Sequence, residues 1–120
     1  MILAVDDEPI ILMGTSALIQ SLGMDVVTAS GADGALRLLR EHDDINILLT
    51  DMQMPKHNGV ELAKMAREFR PDLKLIFATG QWRVAGDLPA GSTVLQKPFT
   101  RDELANALNI AGKLSGAECG

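Results

Sequence analysis

The chain has 120 residues, 47% of them hydrophobic, which suits one domain with a real core and excludes a disordered segment. Its 11 lysines and arginines against 16 acids leave a formal net charge of -5 at pH 7, which argues against direct nucleic-acid binding and suits a domain that holds a divalent cation or a basic partner. A single cysteine, Cys119, excludes a disulfide scaffold and a zinc cluster and points to a reducing cytosol, and no apolar run approaches the roughly 18–20 residues of a membrane span.

Ile2-Leu3-Ala4-Val5 reads as a first buried strand, and the Asp6-Asp7-Glu8 that follows rules out a signal peptide. Pro9 suits the first turn of a helix, where its missing N–H would have no partner anyway. That helix runs to about Leu22, with Ile11, Leu18 and Leu22 on one face and Gly23 as its stop. Asp25 to Ala29 is a second strand. Ser30 is placed as the cap of a second helix, with Asp33 in its first turn, Ala35, Leu38 and Leu39 along it, and an end near Glu41-His42-Asp43.

Ile45 to Thr50 forms a third strand. Its apolar run is continuous rather than alternating, the pattern of a strand buried on both faces. It stops at Asp51, and Met52 to Gly59 follows as a loop. Asn58-Gly59 opens a third helix with Leu62, Met65 and Phe69 at i, i+3 and i+7, ended by Pro71. Leu73 to Ala78 is the fourth strand, closed by Thr79-Gly80. Gln81 to Ser92 is the least regular stretch. Its one candidate helical run, Gln81 to Ala85, meets Gly86 at once and then Pro89, so a helix here is expected to be short or irregular. Trp82 stands open between a partner anchor and a cap on the sheet edge.

Thr93 to Gln96 is a short fifth strand, and Pro98 ends it at Lys97. Thr100 and Glu103 make a T-x-x-E capping-box pattern for a last helix, with Leu104, Leu108, Ala111 and Leu114 on its inner face. The tail from 115 to 120 is small and polar and is expected to fray. His42 and His57 lack ligand partners at useful spacing and are read as exposed. The six methionines are read as core filling.

Strands alternating with helical segments predict an α/β fold in a single domain, 1–120. Its sheet would be parallel, with right-handed connections and helices on both faces. In a flavodoxin-like order, 2-1-3-4-5, the first and third strands are neighbours, which brings Asp6, Asp7 and Asp51 to one rim. Any one of these acids alone would be read as a solvated loop residue, and Lys97 alone as a surface charge. Together they are not bland. Three close carboxylates repel unless a cation joins them, and Mg²⁺, or Mn²⁺, is the hard oxygen-seeking ion that fits. Lys97 adds an ammonium and Thr79 a hydroxyl. A carboxylate, a metal site, an ammonium and a hydroxyl form a set suited to phosphoryl transfer onto Asp51.

The sequence resembles the CheY-like receiver domain of two-component response regulators. The matching residues are Asp6-Asp7 after strand one, Asp51 with Met54-Pro55 and Gly59, Thr79 after strand four, and Lys97-Pro98-Phe99 after strand five. The resemblance implies that Asp51 is the phospho-acceptor, Asp7 the closer metal ligand, and Asp6 a ligand partly through water. It also implies that the Gln53 backbone carbonyl completes the metal site and that Thr79 and Lys97 bind phosphoryl oxygens. The donor would be a phosphohistidine on a sensor histidine kinase or histidine phosphotransfer protein, in the cytoplasm, and a downstream output protein or domain would read the strand four to strand five surface. Phe77-Ala78-Thr79-Gly80 is similar to the FATGUY-type receivers linked to HWE/HisKA2 kinases. Val94 stands where ordinary receivers carry an aromatic switch. The alternatives are a Mg²⁺-dependent aspartyl-phosphate phosphatase, which would want a second acid where Gln53 stands, and a phosphate sink or shuttle without its own output.

Overall fold

A computed structural model of the chain describes residues 1–54, 58–80 and 88–114, with Phe69 and the last five of these described by backbone alone. These hold five strands: β1 (Ile2–Val5), β2 (Val26–Ala29), β3 (Ile47–Asp51), β4 (Lys74–Thr79) and β5 (Thr93–Gln96). They form one parallel sheet, as the alternation of elements predicts, in the flavodoxin-like order expected, β2-β1-β3-β4-β5. Among the described residues four helices accompany them: α1 (Pro9–Ser21), α2 (Ala32–Glu41), α3 (Gly59–Phe69) and α4 (Arg101–Leu114).

The core is split by the sheet. On one side Leu3, Val5, Leu48, Leu75 and Phe77 pack with Ala35 and Leu39 of α2 and Leu62 and Ala66 of α3. On the other, Ile2, Ala4, Ile47, Leu49 and Ile76 pack with Ile19 of α1 and Leu104 and Leu108 of α4. Successive residues of a strand face opposite ways, so a strand covered twice must be apolar at every position. That is the physical reason for the unbroken apolar runs of β1, β3 and β4, and for their central place in the sheet.

Several details depart from the sequence reading. β3 starts at Ile47 rather than Ile45, and Asp51 and Thr79 are the last residues of their strands rather than the first beyond them. Asp51 still pairs with Ala78 across the sheet, and Thr79 with Gln96. The cap of α2 is Gly31, not Ser30. Gly31 has the extended backbone of a cap residue, its carbonyl accepts the first helical bond from Ala35 N–H, and no side chain caps the helix. His42 is half-buried at the end of α2 rather than exposed. Of the methionines, Met1, Met52, Met54 and Met65 pack half-buried against the core as read, whereas Met24 and Met13 are exposed, Met13 to 72% on α1. The expectations about Trp82, His57, the run from Gln81 to Asp87, the inward faces of Ala111 and Leu114, and the tail lie outside the described residues.

Candidate functional site

Strand parity brings the polar ends together. Asp6 continues the Ile2, Ala4 face of β1, Asp51 the Ile47, Leu49 face of β3, and Lys97 the Leu95 face of β5. All three therefore project on the α1 and α4 side of the sheet. Thr79 lies at the same rim, one strand from Asp51, but shares the parity of Leu75 and Phe77 and is almost fully buried. The Lys97 N–H donates to the Thr79 carbonyl at 2.7 Å, which ties the exit of β5 to the end of β4.

The Lys97 ammonium sits 3.0 Å from Asp6 Oδ2 and 3.4 Å from Asp51 Oδ1. Backbone N–H groups also hold both carboxylates: Glu8 donates to Asp6 Oδ1 at 3.0 Å and Gln53 to Asp51 Oδ1 at 3.3 Å. Asp6 and Asp51 are buried, whereas Asp7 faces solvent. Even so, one oxygen from each of Asp6, Asp7 and Asp51 lies within 4.8 Å of the others. Burial pushes the Asp51 carboxyl above its ordinary range, and the nearby Asp6 charge adds to this. The Gln53 N–H and the Lys97 ammonium pull the other way without prevailing. For Lys97, burial works against the charged form. The hydrogen bond to Asp6 and the charges of Asp51 and Asp6 outweigh it, and its pKa is raised.

Three carboxylates share one ammonium here, so the cluster keeps an excess of negative charge. Its donors are hard oxygens, two fixed in the protein wall and one open to water. That donor set fits Mg²⁺ or Mn²⁺, ions that keep part of their water shell. Gln53, the other residue read as a metal ligand, is exposed beside the cluster and directs its N–H to Asp51.

The start of α3, next to the end of β3, is fixed by Asn58, Gly59 and Glu61. Asn58 and Glu61 form a reciprocal capping box at the start of α3, with bonds of 2.8 and 3.0 Å. The N-x-x-E pattern was the signal for it. Gly59 packs so closely on the strand that a Cβ there would collide with the Asp51 carbonyl oxygen. The Gly59 N–H also bonds the Met52 carbonyl at 3.0 Å. Gly59 thus lets α3 begin directly beneath the Asp51 backbone.

The response regulator receiver domain family matches residues 2–109. The response regulator receiver protein CpdR of Brucella abortus is 37% identical over 111 residues, which cover 89% of this chain and 91% of CpdR. The sensor kinase CckA of the same organism is 33% identical over 112 residues, 89% of this chain but 12% of the kinase. The crystal structure of a response regulator receiver domain protein from Clostridium thermocellum superposes with a TM-score of 0.83 at 32% identity, covering 96% of this chain and 95% of that one.

Proposed function

The chain belongs to the response regulator receiver domain family, and from that premise we propose that it is a signalling module switched by phosphorylation of Asp51. The observation that carries the reading is the convergence of Lys97, Asp6 and Asp51 beside an outward-facing Asp7. The donor is a phosphohistidine on a sensor histidine kinase or a histidine phosphotransfer protein. The Asp51 carboxylate attacks phosphorus, a P–O bond forms, the P–N bond breaks, and the imidazole leaves. Oδ1 is engaged by Lys97 and the Gln53 N–H, so the attack is assigned to Oδ2.

Asp6, Asp7, Asp51 and the Gln53 carbonyl would hold Mg²⁺, which supplies positive charge for the oxygens of the transferring group. Lys97 gives a second positive charge and holds Asp51 in place before transfer. Thr79 ends β4 next to the acceptor strand, and a hydroxyl drawn toward a phosphoryl oxygen would pull on that strand. The surface of β4, β5 and the segment between them is then the face read by a downstream protein or domain. Phe77-Ala78-Thr79-Gly80 supports the narrower placement among FATGUY-type receivers. Its site of action would be the cytoplasm, where such kinases hold their phosphohistidine; among the described residues no helix is long and apolar enough to cross a membrane.

Intact-mass analysis after treatment with acetyl phosphate and Mg²⁺ tests this. One added phosphoryl group is expected, absent without Mg²⁺ and absent in Asp51→Asn. An adduct that survives in Asp51→Asn would remove the assignment.

A further inference from the structure

Two spaces border Lys97. The inner one is a cavity of about 10 Å³ beneath Asp6 and Asp51, room for roughly one water. The outer one is an open, mostly apolar groove of about 400 Å³, walled by Ile11 and Leu18 of α1 and by Pro98. Three residues line both: Thr15, Lys97 and Phe99. A residue on the wall of two adjoining spaces stands between them. The partition separating the carboxylates from the open groove is therefore built from the Lys97 side chain, the Phe99 ring and Thr15.

We propose that Phe99 is the positioning residue of this site, the wall that holds the Lys97 ammonium on Asp6 and Asp51. A lysine has four rotatable side-chain bonds and prefers a full water shell. Yet the Lys97 side chain is only 17% exposed, and its ammonium reaches inward to two carboxylates. Charge attraction alone would also be satisfied through water from the groove side. Phe99 is half-buried and packs onto the apolar cluster of Ile19, Leu95 and Leu104, so its ring is fixed by the core rather than by the site. Pro98, between Lys97 and Phe99, limits the backbone between them. Removing the ring would join the two spaces, admit water beside the lysine stem and free the ammonium to turn outward.

The consequence for chemistry rests on the reading of Asp51 as phospho-acceptor, but the test of the wall does not. In metal-free protein, the ¹⁵N-resolved ammonium signal of Lys97, identified by its loss in Lys97→Ala, reports whether that group is shielded and ion-paired. It should be sharp in the wild type, exchange-broadened in Phe99→Ala, and restored in Phe99→Leu, which refills much of the wall. Phosphorylation of Asp51 by acetyl phosphate should fall by about tenfold in Phe99→Ala, a loss typical of a misplaced charge. It should fall no further when Phe99→Ala is added to Lys97→Ala, because the ring acts through the lysine. An unchanged ammonium signal in folded Phe99→Ala, or rates that multiply independently in the double variant, would overturn the proposal. A wild type that takes no phosphoryl group would instead defeat the acceptor reading, and the ammonium signal would still decide whether Phe99 is the wall.

Discussion

Ionising Asp51 costs the folded chain free energy, because its carboxylate is desolvated by burial and faces Asp6. A carboxyl whose folded pKa lies above its unfolded value binds its proton more tightly when folded. The cost appears as pH rises above the ordinary value of 3.8 and grows until pH has passed the folded pKa. Metal-free Asp51→Asn should therefore melt higher than the wild type at neutral pH. The gap should close as pH falls below 3.8, where Asp51 is protonated in the folded and the unfolded chain alike. Melting curves followed by circular dichroism across that range check both statements; a variant that melts lower at neutral pH would contradict the burial argument. Lys97 has the opposite sign. Its folded pKa is raised, so its stabilisation is present in full below the ordinary value of 10.5 and is lost as pH climbs through the folded value. Lys97→Ala leaves Asp6 and Asp51 facing each other without a cation, so its deficit in melting temperature should be largest in metal-free protein at neutral pH and small above the folded lysine pKa.

At the scale of elements, the start of α3 decides how accurately the end of β3 is placed. Two substitutions one residue apart separate helix stability from site geometry. Asn58→Ala removes one half of the capping box and should cost about 1 kcal/mol of stability. Asp51 should still be phosphorylated at a near wild-type rate once the protein is folded. Gly59→Ala puts a methyl group into the Asp51 carbonyl, an overpacking that should cost about 1–3 kcal/mol and move the strand end. Phosphorylation should suffer in Gly59→Ala out of proportion to its stability, which rates measured at matched folded fractions can show. Equal rates for the two variants would mean that the loop absorbs the methyl group without moving Asp51. The same contrast explains what was legible in the sequence. The strands and the polar residues at their ends are local signals, whereas their order, and with it the meeting of Asp6, Asp7, Asp51 and Lys97, follows from the flavodoxin-like arrangement that alternating strands and helices suggest. The T-x-x-E box of α4 is local too, and both of its bonds are present. The tight contact at Gly59 is tertiary, since it depends on how far apart β3 and α3 sit. So is Arg70, whose guanidinium donates to the carbonyls of Leu39, His42 and Ile45 and joins the end of α2 to the approach of β3. Its acceptors are backbone groups, 25 to 31 residues away, which no side-chain motif marks. Ser30 fails to cap α2 for a related reason. The sequence offers a good capping side chain there, but the chain turns one residue later, at Gly31.

For the whole molecule, the sheet is a rigid frame that carries an unbalanced charge at its rim, so if the rim holds the proposed cation its stability should rise with divalent cations. The carboxylates of β1 and β3 are held by strands buried on both faces and cannot move apart to relieve their repulsion. A cation that binds the folded rim stabilises the fold by mass action, since the unfolded chain has no assembled cluster to offer it. At a free Mg²⁺ concentration one hundred times the dissociation constant the gain is about 2.7 kcal/mol, a rise of several degrees in melting temperature. Asp7 provides the cleanest control. It is exposed, so removing it leaves the core intact, yet it is one of the three acids that converge on the site. Asp7→Ala should fold and melt close to the wild type without metal, and should lose most of the Mg²⁺-dependent rise. Asp51→Asn should respond to Mg²⁺ less than the wild type, because it has already lost part of the repulsion that the cation relieves. Thermal melts over a Mg²⁺ titration for the three proteins measure this directly. A wild-type melting temperature indifferent to Mg²⁺, or an Asp7→Ala titration that overlays the wild type, would show that the rim carries its charge for some other purpose than holding a cation.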